Sequence, residues 1–273
     1  MMDEINPVDE KAIDSLNVLT NGKTKNYSKA FLLRRIMGRA RRLGINDAPG
    51  YIEYLNNNKD EIGRFITEMS IHVTHFFRDK AMYDAFMLET LFKLMKHKDD
   101  SSSRTLKIWS AGCSSGEETY SIAILIMELL GNRINDFVVE IIGTDMEKTA
   151  IEMANNAVYI EDQFRETDPD IFKKYFTKLD DGKYKVVDEL KKIVRFEIGD
   201  ILSTFKPKNV DVIFCRNVVI YFSREIKEKL YQDFYNCINP GGFLVLGKTE
   251  TLTGPAREKF EMENIAERIY IKK

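Results

Sequence analysis

The chain has 273 residues, of which 44% are hydrophobic and 31% charged, and its net charge of −2 gives no global reason to expect a nucleic-acid partner. Its three cysteines form no C-x-x-C pair, so we expect neither disulfides nor a zinc site and infer a reducing compartment. The N-terminus lacks the apolar core of a signal peptide, and no apolar run approaches the roughly 20 residues of a membrane span, so we expect a cytoplasmic protein.

Residues 1–70 are typical of a small domain of helices joined by short loops. Apolar residues with helical spacing occur in Phe31–Met37 and in Tyr51–Leu55, and we interpret Pro49-Gly50 as a turn. The segment Asn21–Ile45 contains eight basic residues and no acidic one, which leaves −10 for the rest of the chain. It is either a solvated helix face or a surface that attracts an acidic partner, nucleic acid or protein.

Residues 71–80, with the sequence IHVTHFFRDK, contain His72 and His75 at i, i+3 spacing. Cysteines are absent nearby and the chain holds only three histidines, so we expect no metal site. Asp79 is placed to cap the helix that follows.

The stretch Leu106–Leu130 predicts a short strand, a loop of small residues and an amphipathic helix. Small side chains let a backbone approach a ligand closely, and Gly112 and Gly116 can adopt positive φ. Glu117 and Glu118 in the first helical turn would repel a pyrophosphate, which disfavours a nicotinamide oxidoreductase and favours a neutral or cationic ligand.

The loop's small residues alternate, as Ser110, Gly112, Ser114 and Gly116. This alternation resembles the first motif of S-adenosylmethionine methyltransferases, whose cofactor carries a sulfonium and an amino group. A tight connection with no ligand would also use small residues.

A second buried strand, residues 137–145, ends in Asp145. An acid at this position of a nucleoside-binding sheet accepts hydrogen bonds from ribose hydroxyls, although it could instead cap the next helix. Further on, Asp181-Gly182 lies between strand-like runs and predicts a small antiparallel ribbon at about 172–199, with Ile193–Phe196 as its last strand and Asp200-Ile201 at its end.

The run Val210–Cys215 predicts a buried strand with Arg216 and Asn217 at its carboxyl end. Alternation through Val218–Phe222 would place Tyr221 and Phe222 on opposite sides. Two more strands are predicted, at Phe243–Leu246 and Arg268–Ile271.

Strands that alternate with helices predict an α/β fold with a doubly wound parallel sheet. Loops at the carboxyl ends of such strands form one crevice. The Gly112 loop, Asp145, Asp200 and Arg216-Asn217 all fall there, which is the residue-level argument for an active site.

Five motifs together resemble the chemotaxis receptor glutamate O-methyltransferases of the CheR type. They are THFFRD (Thr74–Asp79), WSAGCSSGEETYSIAI (Trp109–Ile124), GTDM (Gly143–Met146), FCRNVVIYF (Phe214–Phe222) and NPGG (Asn239–Gly242). The resemblance implies a class I, Rossmann-like methyltransferase domain over 71–273 with the inserted β-subdomain, preceded by a helical receptor-docking domain over 1–70. It also implies transfer of a methyl group from S-adenosylmethionine to glutamate side chains of chemoreceptors, with S-adenosylhomocysteine as product.

The resemblance further implies roles for individual residues. Arg78 and Tyr221 would lie near the transferred methyl. The cofactor contacts would come from His72, Thr74, Arg78, Glu118, Asp145, Asp200, Ile201, Arg216 and Asn217. The docking surface for the acidic receptor bundle would be a basic helix with Lys29, Arg34, Arg35, Arg39, Arg41 and Arg42.

Two departures from the family pattern are visible. His72 and Asp200 stand where family members often carry asparagine. The segment Thr177–Gly182 is short beside members that bind a C-terminal receptor pentapeptide, so we expect docking without that tether. The alternatives are a nucleic-acid methyltransferase, which would more often carry an Asn/Asp-Pro-Pro-aromatic motif in place of Cys-Arg-Asn-Val, and a non-catalytic adaptor that senses S-adenosylmethionine.

Overall fold

The computed structural model describes residues 5–69, 74–100, 104–203 and 206–273. The chain divides into two compact units, the first made of Met1–Ile71 with Ile220–Lys227 and the second of His72–Val219 with Glu228–Lys273. None of the helices within those described ranges is both long and apolar enough to cross a bilayer.

The first unit is built from four helices, α1 Pro7–Leu19, α2 Lys29–Arg42, α3 Ala48–Asn57 and α4 Lys59–Met69. Side chains of Asn6, Ser28 and Asp47 accept backbone N–H groups at the starts of α1, α2 and α3. The helices bury one apolar core, with members that include Ile13, Leu16, Leu32, Ile36, Tyr51, Leu55 and Phe65.

Two local predictions for this unit were wrong. Pro49-Gly50 lies inside the first turn of α3, where proline loses no intrahelical hydrogen bond. The run before Ser223 is a 3-10 turn, Val219–Tyr221, so strand alternation does not apply there. Tyr221 and Phe222 both join the first unit's aromatic residues, with ring centroids 4.9 Å from Phe31 and 5.7 Å from Tyr27, respectively.

The second unit contains the remaining helices and all ten strands assigned in the described chain. The strands are β1 Thr105–Ala111, β2 Val138–Asp145, β3 Val158–Tyr159, β4 Phe176–Lys178, β5 Tyr184–Val186, β6 Val194–Ile198, β7 Val210–Cys215, β8 Ile238–Leu246, β9 Phe260–Asn264 and β10 Ile269–Lys272. The helices are α5 Lys80–Ala85, α6 Phe92–Asp100, α7 Glu117–Leu130, α8 Lys148–Asn156, α9 Pro169–Tyr175, α10 Asp188–Lys191, α11 Arg224–Cys237, which begins in the first unit, and α12 Ala256–Lys259, with a π-helical stretch at Phe86–Leu91.

The main sheet has the order β6-β2-β1-β7-β8-β10-β9. The first five strands of that order pair in parallel, while β10 is antiparallel to both β8 and β9. The chain runs from β1 to β2 on one side and later places β7 on the other side of β1. The order therefore reverses between β1 and β7, which is where doubly wound sheets bind ligands.

Both faces of β1 are covered by helices. Ile108 belongs to the core that contains Ile122 and Ile126 of α7, while the Trp109 ring meets Phe234 of α11 at 5.5 Å. Successive strand residues point to opposite faces, so α7 and α11 lie on opposite sides of the sheet. The predicted α/β doubly wound class is confirmed.

The small antiparallel sheet differs from its prediction at both ends. Its order is β3-β5-β4, and Gly182 with φ +81° lies in the β4–β5 turn as its sequence indicates. The prediction that Ile193–Phe196 forms its last strand was wrong, because Val194–Ile198 pairs in parallel with β2 as the edge of the main sheet. The third strand is Val158–Tyr159, too short for alternation to reveal.

Candidate active site

The small-residue loop after β1 is fastened to the end of β2. The N–H groups of Gly112 and Cys113 donate to the Thr144 carbonyl at 2.8 and 2.9 Å. The Asp145 carboxylate accepts the Ser114 N–H at 2.8 Å and the Glu147 N–H at 3.0 Å. Asp145 is not the cap of the next helix, because the N-cap position of α8 is Glu147 and has no side-chain capping hydrogen bond. Its carboxylate instead holds the loop at the carboxyl edge of the sheet.

Gly116 shows why this loop needs glycine at its last position. Its φ is +94°, and a Cβ there would lie 2.9 Å from Ala154 Cβ, 3.0 Å from Phe196 Cζ and 3.1 Å from the Tyr159 hydroxyl. The first turn of α7 can therefore approach β6 and α8 only without a side chain at this position.

Arg216 is a buried cation of the site. Its side chain is only 2% exposed, and Nη2 donates to Asp79 Oδ2 at 2.5 Å and to the Arg78 carbonyl at 3.1 Å, while Nη1 lies 3.4 Å from Glu118 Oε2. The guanidinium thus joins the end of β7, the start of α7 and the segment that carries Arg78. Its Nε is buried and has no hydrogen-bond partner among the residues that the structure describes, which leaves one donor for a ligand.

Asp79 has a role that its sequence position did not reveal. It lies at the N-cap of α5 in the left-handed region, with φ +63°, but makes no side-chain capping hydrogen bond. The predicted cap was therefore wrong, because its carboxylate faces Arg216 instead. Phe77, Ser114 and Asn217 also have positive φ, so four non-glycine residues in this conformation lie on segments of the proposed site.

Glu117 and Glu118 are neighbours in the first turn of α7, but their side chains have different partners in the structure. Glu117 is fully buried and accepts hydrogen bonds from the Ser115 hydroxyl, at 2.8 and 2.9 Å, and from Gln163. Burial raises its pKa, against the hydrogen bonds that it accepts, one of them from Thr74. Glu118 accepts the Ser110 hydroxyl at 2.8 Å and faces Arg216, so only Glu118 is placed to meet a ligand.

His75 anchors the segment that leads to Arg78. Arg165 can only donate, so it donates to His75 Nδ1 at 2.8 Å, and the His75 Nε2–H then donates to Glu166 at 2.8 Å. Burial raises the pKa of Glu166, but hydrogen bonds from His75 and from the Lys80 and Asp79 backbones lower it to below its ordinary value.

Most of the predicted site residues fall into two groups. The first group is Arg78, Glu118 and Arg216, which meet at Asp79. Asp145 lies near this group, because burial and then the carboxylates of Asp145 and Glu118 all raise the pKa of Cys113. Gly199 donates to the Asp145 carbonyl at 2.9 Å, which places the exposed Asp200 and the buried Ile201 just beyond the end of β6.

Two predicted residues are not placed with these groups. Tyr221 belongs to the first unit, and His72 lies outside the described residues. Sequence reasoning missed Glu250, whose carboxylate accepts the Asn217 N–H at 3.0 Å. No local pattern points to that residue.

The donor set fits S-adenosylmethionine. Carboxylates such as Asp145 and Glu118 can accept ribose hydroxyls or an ammonium group, and a guanidinium such as Arg216 can bind the methionyl carboxylate. The positive-φ loop supplies backbone close to the ligand without bulky side chains.

Comparisons with known proteins agree with this fit. The family model described as CheR methyltransferase, all-alpha domain, matches residues 17–70, and the model described as CheR methyltransferase, SAM binding domain, matches residues 72–269. The chemotaxis protein methyltransferase of Borreliella burgdorferi is 34% identical over 216 residues, which cover 77% of this chain and 76% of that protein.

Two further relatives give the same result. The chemotaxis protein methyltransferase of Listeria innocua is 33% identical over 76% of this chain and 75% of its own length. Chemotaxis protein methyltransferase 2 of Vibrio cholerae is 28% identical over 84% of this chain and 80% of its own length. The predicted family and the predicted methyl donor are both confirmed: the chain belongs to the CheR methyltransferase family and is an enzyme of chemotaxis that uses S-adenosylmethionine.

Proposed function

We propose that this enzyme methylates glutamate side chains of chemoreceptors, giving glutamate methyl esters and S-adenosylhomocysteine. The observation that carries the proposal is the Arg216 cluster, because it holds the Arg78 backbone at the carboxyl edge of the sheet, within the residues that match the SAM binding domain. A guanidinium on that segment is suited to orient an acidic acceptor.

The acceptor carboxyl group does not have to be deprotonated by the enzyme. A glutamate carboxylate has an ordinary pKa of about 4.3 and is ionised at neutral pH, so no general base is required. When bound, S-adenosylmethionine supplies a methyl group on a positively charged sulfur. Opposite charges are neutralised as the methyl passes, so tight ion pairing of the acceptor would stabilise the ground state more than the transition state. The protein's contribution is orientation and exclusion of water.

In this proposal Arg78 orients the acceptor carboxylate and the Tyr221 hydroxyl assists, with no proton exchanged by either. Thr74, Glu118, Asp145, Asp200, Ile201, Arg216 and Asn217, with His72, hold the donor. Tyr221→Phe tests the least supported of these roles. We expect it to lower kcat while the affinity for S-adenosylhomocysteine stays the same, and an unchanged kcat would remove Tyr221 from the mechanism.

The proposed receptor-docking face is the solvent side of α2. Arg34 and Arg41 are exposed there, and a groove of about 410 Å³ is lined by Arg34, Arg35, Met37, Gly38, Arg41 and Arg42. Arg39 instead turns inward, with its side chain 12% exposed and paired with Glu61 and Glu68, so we leave it out of the face. Lys29 and Arg42 remain in it although they pair with Glu10 and Glu68.

We propose that the enzyme acts in the cytoplasm, where the receptors' methylated helices lie.

We also propose that docking needs no receptor-tail pentapeptide. The β4–β5 hairpin is closed within residues 179–183 by the Leu179 N–H to Lys183 carbonyl bond of 2.8 Å. This leaves a short loop. A fluorescent receptor-tail peptide should therefore show no saturable binding, and saturable binding lost on substitution in β4 or β5 would contradict the proposal.

The proposed reaction is tested with S-adenosylmethionine tritiated on its methyl group and a receptor cytoplasmic fragment. We expect label on the fragment that mild base releases as volatile methanol, because a carboxyl ester is base-labile. Label that resists base, or label that enters RNA and not the receptor, would refute the glutamate reaction and favour a nucleic-acid or other acceptor.

A further inference from the structure

The turn that follows β8 carries a buried carboxylate, Glu250, which is 3% exposed. Its N–H donates to the Gly247 carbonyl at 2.8 Å and closes the turn. Its side chain folds back, so that Oε2 accepts the Gly247 N–H at 2.6 Å. The same oxygen accepts the Asn217 N–H at 3.0 Å, which links the end of β8 to the residue just beyond β7.

Gly247 keeps the space for this contact. Its φ is not positive, so any residue could adopt its conformation, but a Cβ would lie 2.7 Å from Glu250 Oε2 and 2.9 Å from the Asn217 nitrogen. Glycine is therefore needed here for room and not for conformation.

Asn217 needs an external support. Its φ of +60° is uncommon for a residue with a side chain, and such conformations persist where the surroundings fix them. Arg216, the preceding residue, is held by Asp79 and Glu118 on its other side. The turn that presents Arg216 and Asn217 is thus fixed by Asp79 before α5, by Glu118 of α7, and from the β8 side by Glu250.

We propose that Glu250 is a positioning residue of the cofactor site: its carboxylate fixes the backbone at Asn217, and through it the direction of Arg216, without contacting the cofactor. The inference rests on the proposed assignment of Arg216 and Asn217 to the donor site. It predicts that cofactor binding depends on a hydrogen-bond acceptor at residue 250 and not on the negative charge of that side chain.

The test measures binding of S-adenosylhomocysteine to the full chain by calorimetry. Glu250→Ala should weaken binding about tenfold or more, since displacing a site by a fraction of an ångström has effects of this order, whereas Glu250→Gln keeps an acceptor oxygen and should stay within about threefold of wild type. Gly247→Ala leaves the carboxylate in the chain but pushes it away, and should also weaken binding about tenfold. This variant keeps the test valid if Glu250→Ala does not fold.

Asp211 provides the matched control, because it is a buried carboxylate at the opposite end of β7. It is 3% exposed and accepts the Lys107 N–H at 2.9 Å and Lys98 Nζ at 2.8 Å. Asp211→Asn should lower the melting temperature and leave binding unchanged. Wild-type affinity in both Glu250→Ala and Gly247→Ala, or an equal loss in Asp211→Asn, would overturn the inference, whereas no binding by wild type would refute the site assignment itself.

Discussion

At the scale of single residues, the site contains buried charges that serve ligand binding and lower the stability of the folded chain. Arg216 is buried between Asp79 and Glu118, so both carboxylates are partly withdrawn from water. Burial raises the pKa of Glu118, even though Arg216 and the Ser110 hydroxyl act in the opposite direction. The ionised form of Glu118 is therefore less favourable in the folded chain than in the unfolded one.

Glu118→Gln tests this balance. With a raised pKa in the folded state, the penalty is absent below the unfolded pKa of about 4.3 and grows as the pH rises through the folded value. We expect the variant to be at least as stable as wild type at pH 7 in urea unfolding, with the difference vanishing near about pH 4. Its affinity for S-adenosylhomocysteine should fall about tenfold or more, since hydrogen bonds to a charged group are the stronger ones.

Glu128 on the same helix is the matched control, because its pKa shift has the opposite sign. Burial raises its pKa, but hydrogen bonds from Lys174 and Tyr175 bring it below the ordinary value. A lowered pKa contributes stability that is present above the unfolded pKa and is lost as the pH falls. Glu128→Gln should thus be less stable at pH 7 and should bind the ligand normally. A destabilised Glu118→Gln with full affinity would contradict the assignment.

At the scale of elements, helix α7 follows the small-residue loop and packs against β1, and a glycine with a different role lies at each of its two cap positions. Gly116 at its start has no room for a Cβ, whereas Gly131 at its end, with φ +50°, has open space around it. Gly131→Ala therefore adds only backbone strain, while Gly116→Ala adds strain and overpacking against Ala154 and Phe196.

We expect Gly131→Ala to cost about 1–2 kcal/mol in chemical denaturation and Gly116→Ala about 2–4 kcal/mol. Gly116→Ala alone should weaken binding of S-adenosylhomocysteine, because it displaces the loop that Asp145 holds. Equal losses of stability in the two variants, with unchanged binding, would show that the close approach at Gly116 has no functional consequence.

Elements with local signals could be predicted from the sequence. The apolar run of β7, the small residues before α7 and the Asp181-Gly182 turn each specify their structure within a few residues. Partners from distant parts of the chain could not be predicted. Asp79 was interpreted as a helix cap because nothing near it reveals Arg216, which is 137 positions away.

The lack of a local signal for distant partners also explains the two strands that were predicted wrongly. Val218–Phe222 is apolar throughout, which is typical of a strand. In the structure Tyr221 and Phe222 pack on aromatic residues of the first unit, and the backbone forms a 3-10 turn at Val219–Tyr221. Val194–Ile198 follows the hairpin in sequence, yet it pairs with β2, a choice that only the assembled sheet decides.

At the scale of the whole molecule, charge is distributed unevenly: the segment 21–45 carries +8 in a chain of net −2. Part of this charge is used internally, since Arg39 and Arg42 pair with Glu68. Arg34 and Arg41 are exposed, so they are the residues best placed to attract an acidic receptor bundle.

Arg34→Glu/Arg41→Glu should lower kcat/KM for a receptor fragment about tenfold or more, and the difference from wild type should shrink as salt is added. Binding of S-adenosylhomocysteine should not change. Lys59→Glu, an exposed charge reversal at the start of α4, is the control and should have little effect. Equal effects of both variants would mean that net charge, and not the α2 face, steers the receptor.

The central claim is that the methyl donor binds at the carboxyl edge of the sheet, where Asp145 ends β2 and holds the Gly112 loop. Calorimetric titration of S-adenosylhomocysteine into wild type, Asp145→Ala and Glu140→Gln tests it most directly, because Glu140 lies on the same strand but pairs with Arg195. The account predicts binding by wild type and by Glu140→Gln, and a loss of about tenfold or more in Asp145→Ala. No binding by wild type, or equal binding by all three proteins, would contradict it.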